Sequence, residues 1–213
     1  MRPLARNARI LTGGDVMTTH PPAAARFISV DGMDGAGKSS QIGPLVEWLR
    51  GTGRRVVTCR DPGSTAAGDA IRGILLDRHD VRLDANAEML LYMAARAQLV
   101  AEVIRPALGR GDWVVSDRYL LANVVYQGHA GGLEPDLVLL LDVDLETATR
   151  RLSRPLDKLE NRGDDYRRRL REGYRDEAAR QPGRIALIDG TAGVDEVAAR
   201  LREAVLARFA ELR

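Results

Sequence analysis

The sequence predicts an α/β domain: a doubly wound, five-stranded parallel sheet flanked by helices. Three observations predict it. Short apolar runs alternate with helically spaced segments along the whole chain. The runs are nearly continuous rather than alternating, which suits strands buried on both faces. And "FISVDGMDGAGKSSQ", Phe27 to Gln41, joins the first run to a helical segment through a glycine-rich turn.

The predicted strands are Phe27–Val30, Val56–Cys59, Trp113–Ser116, Leu137–Val143 and Ile185–Ile188. The first predicted helix runs from about Lys38 to Arg50, with a bend expected at Pro44. A second spans about Thr65–Leu76. A long one runs from Ala85 to about Leu108, where Leu90, Leu91, Ala94, Ala97 and Val100 are spaced to make a buried face. The later helices are Leu145–Leu152, Asp164–Ala179 and Val194–Leu212. Residues 26–213 read as one domain, and residues 1–25 as a disordered tail with Met17 as an alternative start. That tail is Arg-rich and acid-poor, so a transit peptide is the other reading of it.

Composition narrows the function. A net charge of +2 over 213 residues gives no strong field for nucleic acid. No apolar run is long enough to span a bilayer, so no membrane partner is expected. The lone cysteine, Cys59, excludes a disulfide framework and fits a reducing, cytoplasmic setting.

Gly32, Gly37, Lys38 and Ser39 fit G-x-x-x-x-G-K-[ST], with an apolar strand before it and a helix after. Such a loop turns backbone N–H groups onto phosphate oxygens at a helix N-terminus. The candidate ATP site is Gly32, Met33, Asp34, Gly35, Ala36 and Gly37, with Lys38, Ser39 and Ser40 opening the helix. Lys38 would reach the β- and γ-phosphates, and Ser39 would ligate Mg²⁺. The fold class is therefore a P-loop NTPase. The loop does not identify the acceptor.

Four further stretches bear on the acceptor: "TCRDPGST" (Thr58–Thr65), "EMLLYMAARAQ" (Glu88–Gln98), "SDRYLLANVVYQG" (Ser116–Gly128) and "RPLDKLE" (Arg154–Glu160). The first and third leave the ends of buried strands, where open α/β sheets bind ligands. Taken singly, Tyr92 reads as a core aromatic, Arg96 as a surface charge, and Asp117 with Arg118 as a plain ion pair. Taken together and in this order, the stretches resemble the thymidylate kinase family, nucleoside monophosphate kinases that convert dTMP and ATP to dTDP and ADP. The resemblance runs from about Phe27 to the C-terminus, with one large gap.

The resemblance implies roles for the residues that match. Asp34 would approach the sugar 3′-hydroxyl of dTMP. Arg60 and Arg118 would bind the acceptor phosphate, and Asp117 would act near Mg²⁺. Tyr92 would stack on thymine, and Arg96, one turn later, would donate to a base oxygen. Asn123 would read the N3–H edge, Tyr126 would crowd the sugar 2′ position, and Gln127 follows it in the substrate site. Because Gly35 stands in the loop, catalytic arginine is expected from a short basic lid, about 153–163, with Arg151 and Arg154 as candidates. Lys158 stands where the family's lid motif has arginine. A homodimer is also implied.

Two departures matter. The family's R-E-P-G-G-T reads R-D-P-G-S-T here, and Ser64 is expected to tighten the loop, since serine resists φ > 0. And "HAGGLE" alone joins Gly128 to Pro135 where the family has a longer segment, so Tyr119–Gln127 is expected to form the crossover helix. Seventeen residues lie between Arg118 and Asp136, and a parallel crossover needs roughly a dozen. The shortening keeps two other readings open: a related kinase for another nucleotide or deoxynucleoside, and a nucleotide-binding protein impaired in transfer.

Overall fold

The structure, a computed structural model, describes residues 25–119, 133–152 and 163–212. Asn123, Tyr126, Gln127, Arg154, Lys158 and the crossover helix expected beyond Tyr119 lie outside the described residues. So does most of the expected lid, and so does the N-terminal tail apart from Ala25. Ala25 itself is buried in the core, so the packed chain starts one residue earlier than expected.

Five parallel strands form one sheet in the order β2-β3-β1-β4-β5. They are β1 Phe27–Asp31, β2 Val56–Arg60, β3 Trp113–Asp117, β4 Leu137–Asp142 and β5 Ile185–Asp189. Every position of β1 is buried, and so are most positions of β3 and β4. Burial at successive residues requires cover on both faces, and the helices supply it. The edge strands β2 and β5 are only partly buried, and Leu187 in β5 is exposed.

The helices are α1 Lys38–Gly51, α2 Ala66–Arg72, α3 Ala85–Leu99, α4 Arg105–Gly109, α5 Leu145–Arg151, α6 Asp164–Arg180 and α7 Val194–Arg208. Three begin on side-chain caps: Thr65 accepts from the Gly68 N–H, Asp84 from Asn86 and Asp144 from Thr147. Pro44 does not end α1. It stands on the exposed side, where one lost backbone donor is cheap.

The long predicted helix is present, and of its predicted buried face Val100 is buried and Leu91 half-buried, but the rest is corrected. Leu90 is 59% exposed, and Ala94 and Ala97 are exposed too. The face that packs inward carries Ala95, Arg96 and Leu99 instead. A π-helical turn, Val100–Ile104, then joins α3 to α4. Its wider turn shifts the helical phase, so one periodicity cannot describe both halves.

The two ends of the shortened connection are tied to the sheet. The Tyr119 hydroxyl donates to the Leu133 carbonyl at 2.6 Å, and the Phe27 N–H donates to Asp136 Oδ2 at 2.7 Å. The Tyr119 ring also packs edge-on to Phe27, with centroids 4.8 Å apart.

Candidate active site

β1 ends in the glycine-rich loop, and α1 starts at Lys38 with Gly37 in the left-handed conformation before it. Gly35 is left-handed too, at φ 82°, and a β carbon there would lie 2.1 Å from the Ala148 carbonyl oxygen of α5. No side chain fits. This gives a physical reason why arginine is absent from that position of the loop. Gly35→Ala should cost about 1–3 kcal/mol through overpacking and lower Tm by roughly 2–12 °C. A Tm within 1 °C of the parent, read by calorimetry, would show that the loop does not press on α5.

Lys38 is buried, and its Nζ donates to the carbonyls of Gly32 at 2.9 Å and Met33 at 3.0 Å. Asp34 Oδ1 lies 3.7 Å from it. Burial lowers the Lys38 pKa to about 8, helped by the nearby Arg118 charge and opposed by Asp34, Asp117 and Asp31.

Arg118 follows β3 and sits at φ 64°, a left-handed conformation that strains a non-glycine residue. Its N–H bonds the Val30 carbonyl at 3.0 Å, and its own carbonyl accepts from Ser116 Oγ at 2.7 Å. The strain aims the guanidinium at the loop. Nη1 donates to the Gly32 carbonyl at 2.8 Å, and Nη2 pairs with Asp34. One carbonyl, that of Gly32, therefore serves both Lys38 and Arg118.

Arg60, at the end of β2, pairs with Asp69 of α2 at 3.1 Å, and both are about half exposed. Ser64 does adopt φ 65° despite its side chain. Its Oγ accepts from the Arg60 N–H at 2.9 Å, and its own N–H reaches Asp69 at 3.2 Å, which offsets the conformational cost. The next residue after Arg60 carries a second feature. Asp61 is buried, and its Oδ2 accepts from Arg96 Nε at 2.5 Å. Burial pushes the Asp61 carboxyl up to about 6, against the pull of Arg96. Arg96 is thus a buried charge and not a surface one. Tyr92 is half-buried one turn before it.

A cleft of about 770 Å³ runs along the C-terminal ends of the strands. The phosphate loop and Ser39 line one part of it, and Arg60, Asp61, Asp117 and Arg118 line another. Arg96 and Tyr92 are not on its wall; Arg96 reaches it through Asp61. Arg151 lines the donor end, but its guanidinium is taken up by the loop after β5, donating to the carbonyls of Gly190 at 2.7 Å and Thr191 at 3.0 Å. Sequence reasoning missed that loop, "GTAG" after the last strand, and it missed Arg72 of α2 on the cleft wall. The signal for the loop was its place at a strand's C-terminal end.

A metal fits the donor set. Mg²⁺ keeps several waters and takes one or two carboxylates with substrate phosphates. Asp117 Oδ1 is buried without a hydrogen-bond partner among the described residues, and Ser39 stands exposed on the same cleft.

A parallel sheet with this loop, and a cleft set with Lys38, Arg60, Arg72, Arg118 and Arg151, defines a P-loop phosphotransferase for two anionic substrates. The comparisons narrow it. The family model described as thymidylate kinase matches residues 30–201. The chain is 41% identical over 193 residues to the thymidylate kinase of Rhodopirellula baltica, covering 83% of this chain and 78% of that one. It is 44% identical over 190 residues to the thymidylate kinase of Methylobacillus flagellatus, covering 81% and 92%. The crystal structure of thymidylate kinase from Ehrlichia chaffeensis superposes with a TM-score of 0.65 at 26% identity, covering 85% of this chain and 98% of that one. The chain belongs to the thymidylate kinase family, and its reaction is the ATP-dependent phosphorylation of dTMP to dTDP.

Proposed function

We propose that the cleft divides into a donor half on the phosphate loop and an acceptor half on Arg60, Asp61, Asp117 and Arg118, with the γ-phosphate passing between them. The observation that carries this is Arg118. It bonds the Gly32 carbonyl of the loop while rising from the end of β3 on the acceptor side, so one residue spans both halves.

In this reading the backbone N–H groups of Gly35–Ser39 cradle the donor phosphates, and the Lys38 ammonium neutralises charge as it develops. Arg60 and Arg118 hold the acceptor phosphate in line. Mg²⁺, held by Ser39 and near Asp117, would supply charge neutralisation on the donor phosphates. Arg151 fixes the loop after β5 and so shapes the donor end. Arg96 and Tyr92 stand behind the cleft wall at Asp61; as the family resemblance implies, the base passes beyond that wall, where Arg96 reads it and Tyr92 stacks on it. Asp34, already paired with Arg118, meets the acceptor sugar.

Substituting Arg60 separates the halves. Arg60→Ala should raise KM for dTMP at least tenfold, a loss of about 1.4 kcal/mol, and leave KM for ATP within twofold. Equal rises in both constants would contradict the division.

Two broader readings go with this one. The enzyme is read as cytoplasmic. No helix among the described residues is long and apolar enough to cross a membrane. It is also read as a homodimer, with the exposed face of α3, Leu90, Ala94 and Ala97, as the contact. Sedimentation of the parent and of Leu90→Glu tests this. A parent that is monomeric at micromolar concentration would rule it out.

A further inference from the structure

The Asp61–Arg96 pair is unusual for a surface cleft. Its side chains are 1% and 6% exposed, and Oδ2 meets Nε at 2.5 Å. The guanidinium is gripped on a second side, with its central carbon 5.0 Å above the Tyr119 ring. That ring is itself fixed by its bond to the Leu133 carbonyl and its packing on Phe27. The Asp61 backbone is pinned by its N–H to the Asp117 carbonyl at 3.0 Å. A rigid carboxylate on one edge and a ring on one face leave the guanidinium little freedom.

The pair is also incomplete. Asp61 Oδ1 is buried and has no hydrogen-bond partner among the described residues, although Asp61 stands on the cleft wall. Buried carboxylate oxygens in purely structural pairs are normally satisfied.

We propose that Asp61 is a positioning residue that fixes the Arg96 guanidinium, and through it sets the preference for an acceptor pyrimidine bearing oxygen at position 4 over one bearing an amino group. This rests on the reading of Arg96 as the base contact. A guanidinium donates and cannot accept. Held rigidly, it bonds a carbonyl oxygen and leaves an amino group facing a donor. A site built to hydrogen-bond one partner rejects the wrong one strongly, because its polar group is then left unpaired. A guanidinium free to swing would lose that discrimination.

The test compares kcat/KM for dTMP and for 5-methyl-dCMP, which share the sugar, the phosphate and the methyl group. In Asp61→Asn, which keeps the shape and removes the charge, the preference for dTMP should fall at least tenfold. KM for ATP and the melting temperature show that the donor half and the fold are intact, and Asp61→Glu should restore the preference. A preference within twofold of the parent in Asp61→Asn overturns the proposal. If Asp61→Asn does not fold, the double variant Asp61→Leu/Arg96→Met decides, since it leaves no buried charge unpaired. Its preference should equal that of Arg96→Met alone; a markedly lower one means that Asp61 acts other than through Arg96. A parent that turns over no pyrimidine nucleotide would instead overturn the dTMP kinase reading itself.

Discussion

Lys38→Met should lower kcat by about a hundred- to a thousandfold, the range measured when one preorganised donor is removed from a transition state. The methionine side chain is of similar length and packs in a buried site, so the fold should survive. What is lost is the charge held by the Gly32 and Met33 carbonyls, which the proposed function assigns to the donor phosphates. Lys38→Arg should not rescue it. The planar guanidinium needs a wider site than a point ammonium held by two carbonyls of one loop. The parent should also show the charge in its pH dependence. Burial lowers the Lys38 pKa to about 8, so in the free enzyme the cation is lost as pH rises through that value. kcat/KM for ATP should therefore fall above pH about 8. A bound triphosphate favours the charged form and should move the corresponding limb of kcat to higher pH. Rates and pH profiles from a coupled assay check both statements. Parent-like kcat in Lys38→Met would remove this residue from the transfer step.

If Arg118 holds the acceptor phosphate as proposed, Arg118→Ala should lower kcat/KM for dTMP at least a hundredfold, the effect of losing a charge-assisted phosphate contact. It also cuts the link to the Gly32 carbonyl and to Asp34. A structural role and a functional one are separable here because of the backbone. At φ 64° alanine is as strained as arginine, whereas glycine is not. Arg118→Gly should therefore melt no lower than Arg118→Ala and be equally inactive. An Arg118→Gly enzyme with near-parent kcat/KM would mean that the strained residue serves the fold alone.

The fold was legible where burial leaves no choice. β1, β3 and β4 lie in the middle of the sheet, and their apolar runs are almost unbroken, so a reader of the chain finds them directly. The buried face of α3 was not legible. Leu90, Ala94 and Ala97 have helical spacing and apolar character, yet they face outward, while Arg96 is drawn inside. What draws it in is Asp61, 35 residues earlier, and no local pattern contains that partner. The π turn at Val100–Ile104 adds a phase shift that a single period cannot follow.

The site shows the same division. The phosphate loop is contiguous in sequence and its context identifies it. Arg118 was recognised from its motif, but its left-handed backbone and its bond to the Gly32 carbonyl depend on the β1–β3 register. Arg151 was expected in a lid. Its guanidinium is spent on carbonyls some 39–41 residues later, a contact that arises only where the fold brings the end of α5 to the loop after β5. Asn123, Tyr126, Gln127 and Arg154 carry roles that still rest on the family resemblance.

The most direct measurement offers purified protein and Mg-ATP a set of acceptors: dTMP, dUMP, CMP, AMP, GMP and thymidine. ADP formation should be fastest with dTMP, with dTDP as the product. Faster turnover of another acceptor would contradict the assignment of the acceptor half, and ATP binding without turnover of any acceptor would contradict transfer altogether.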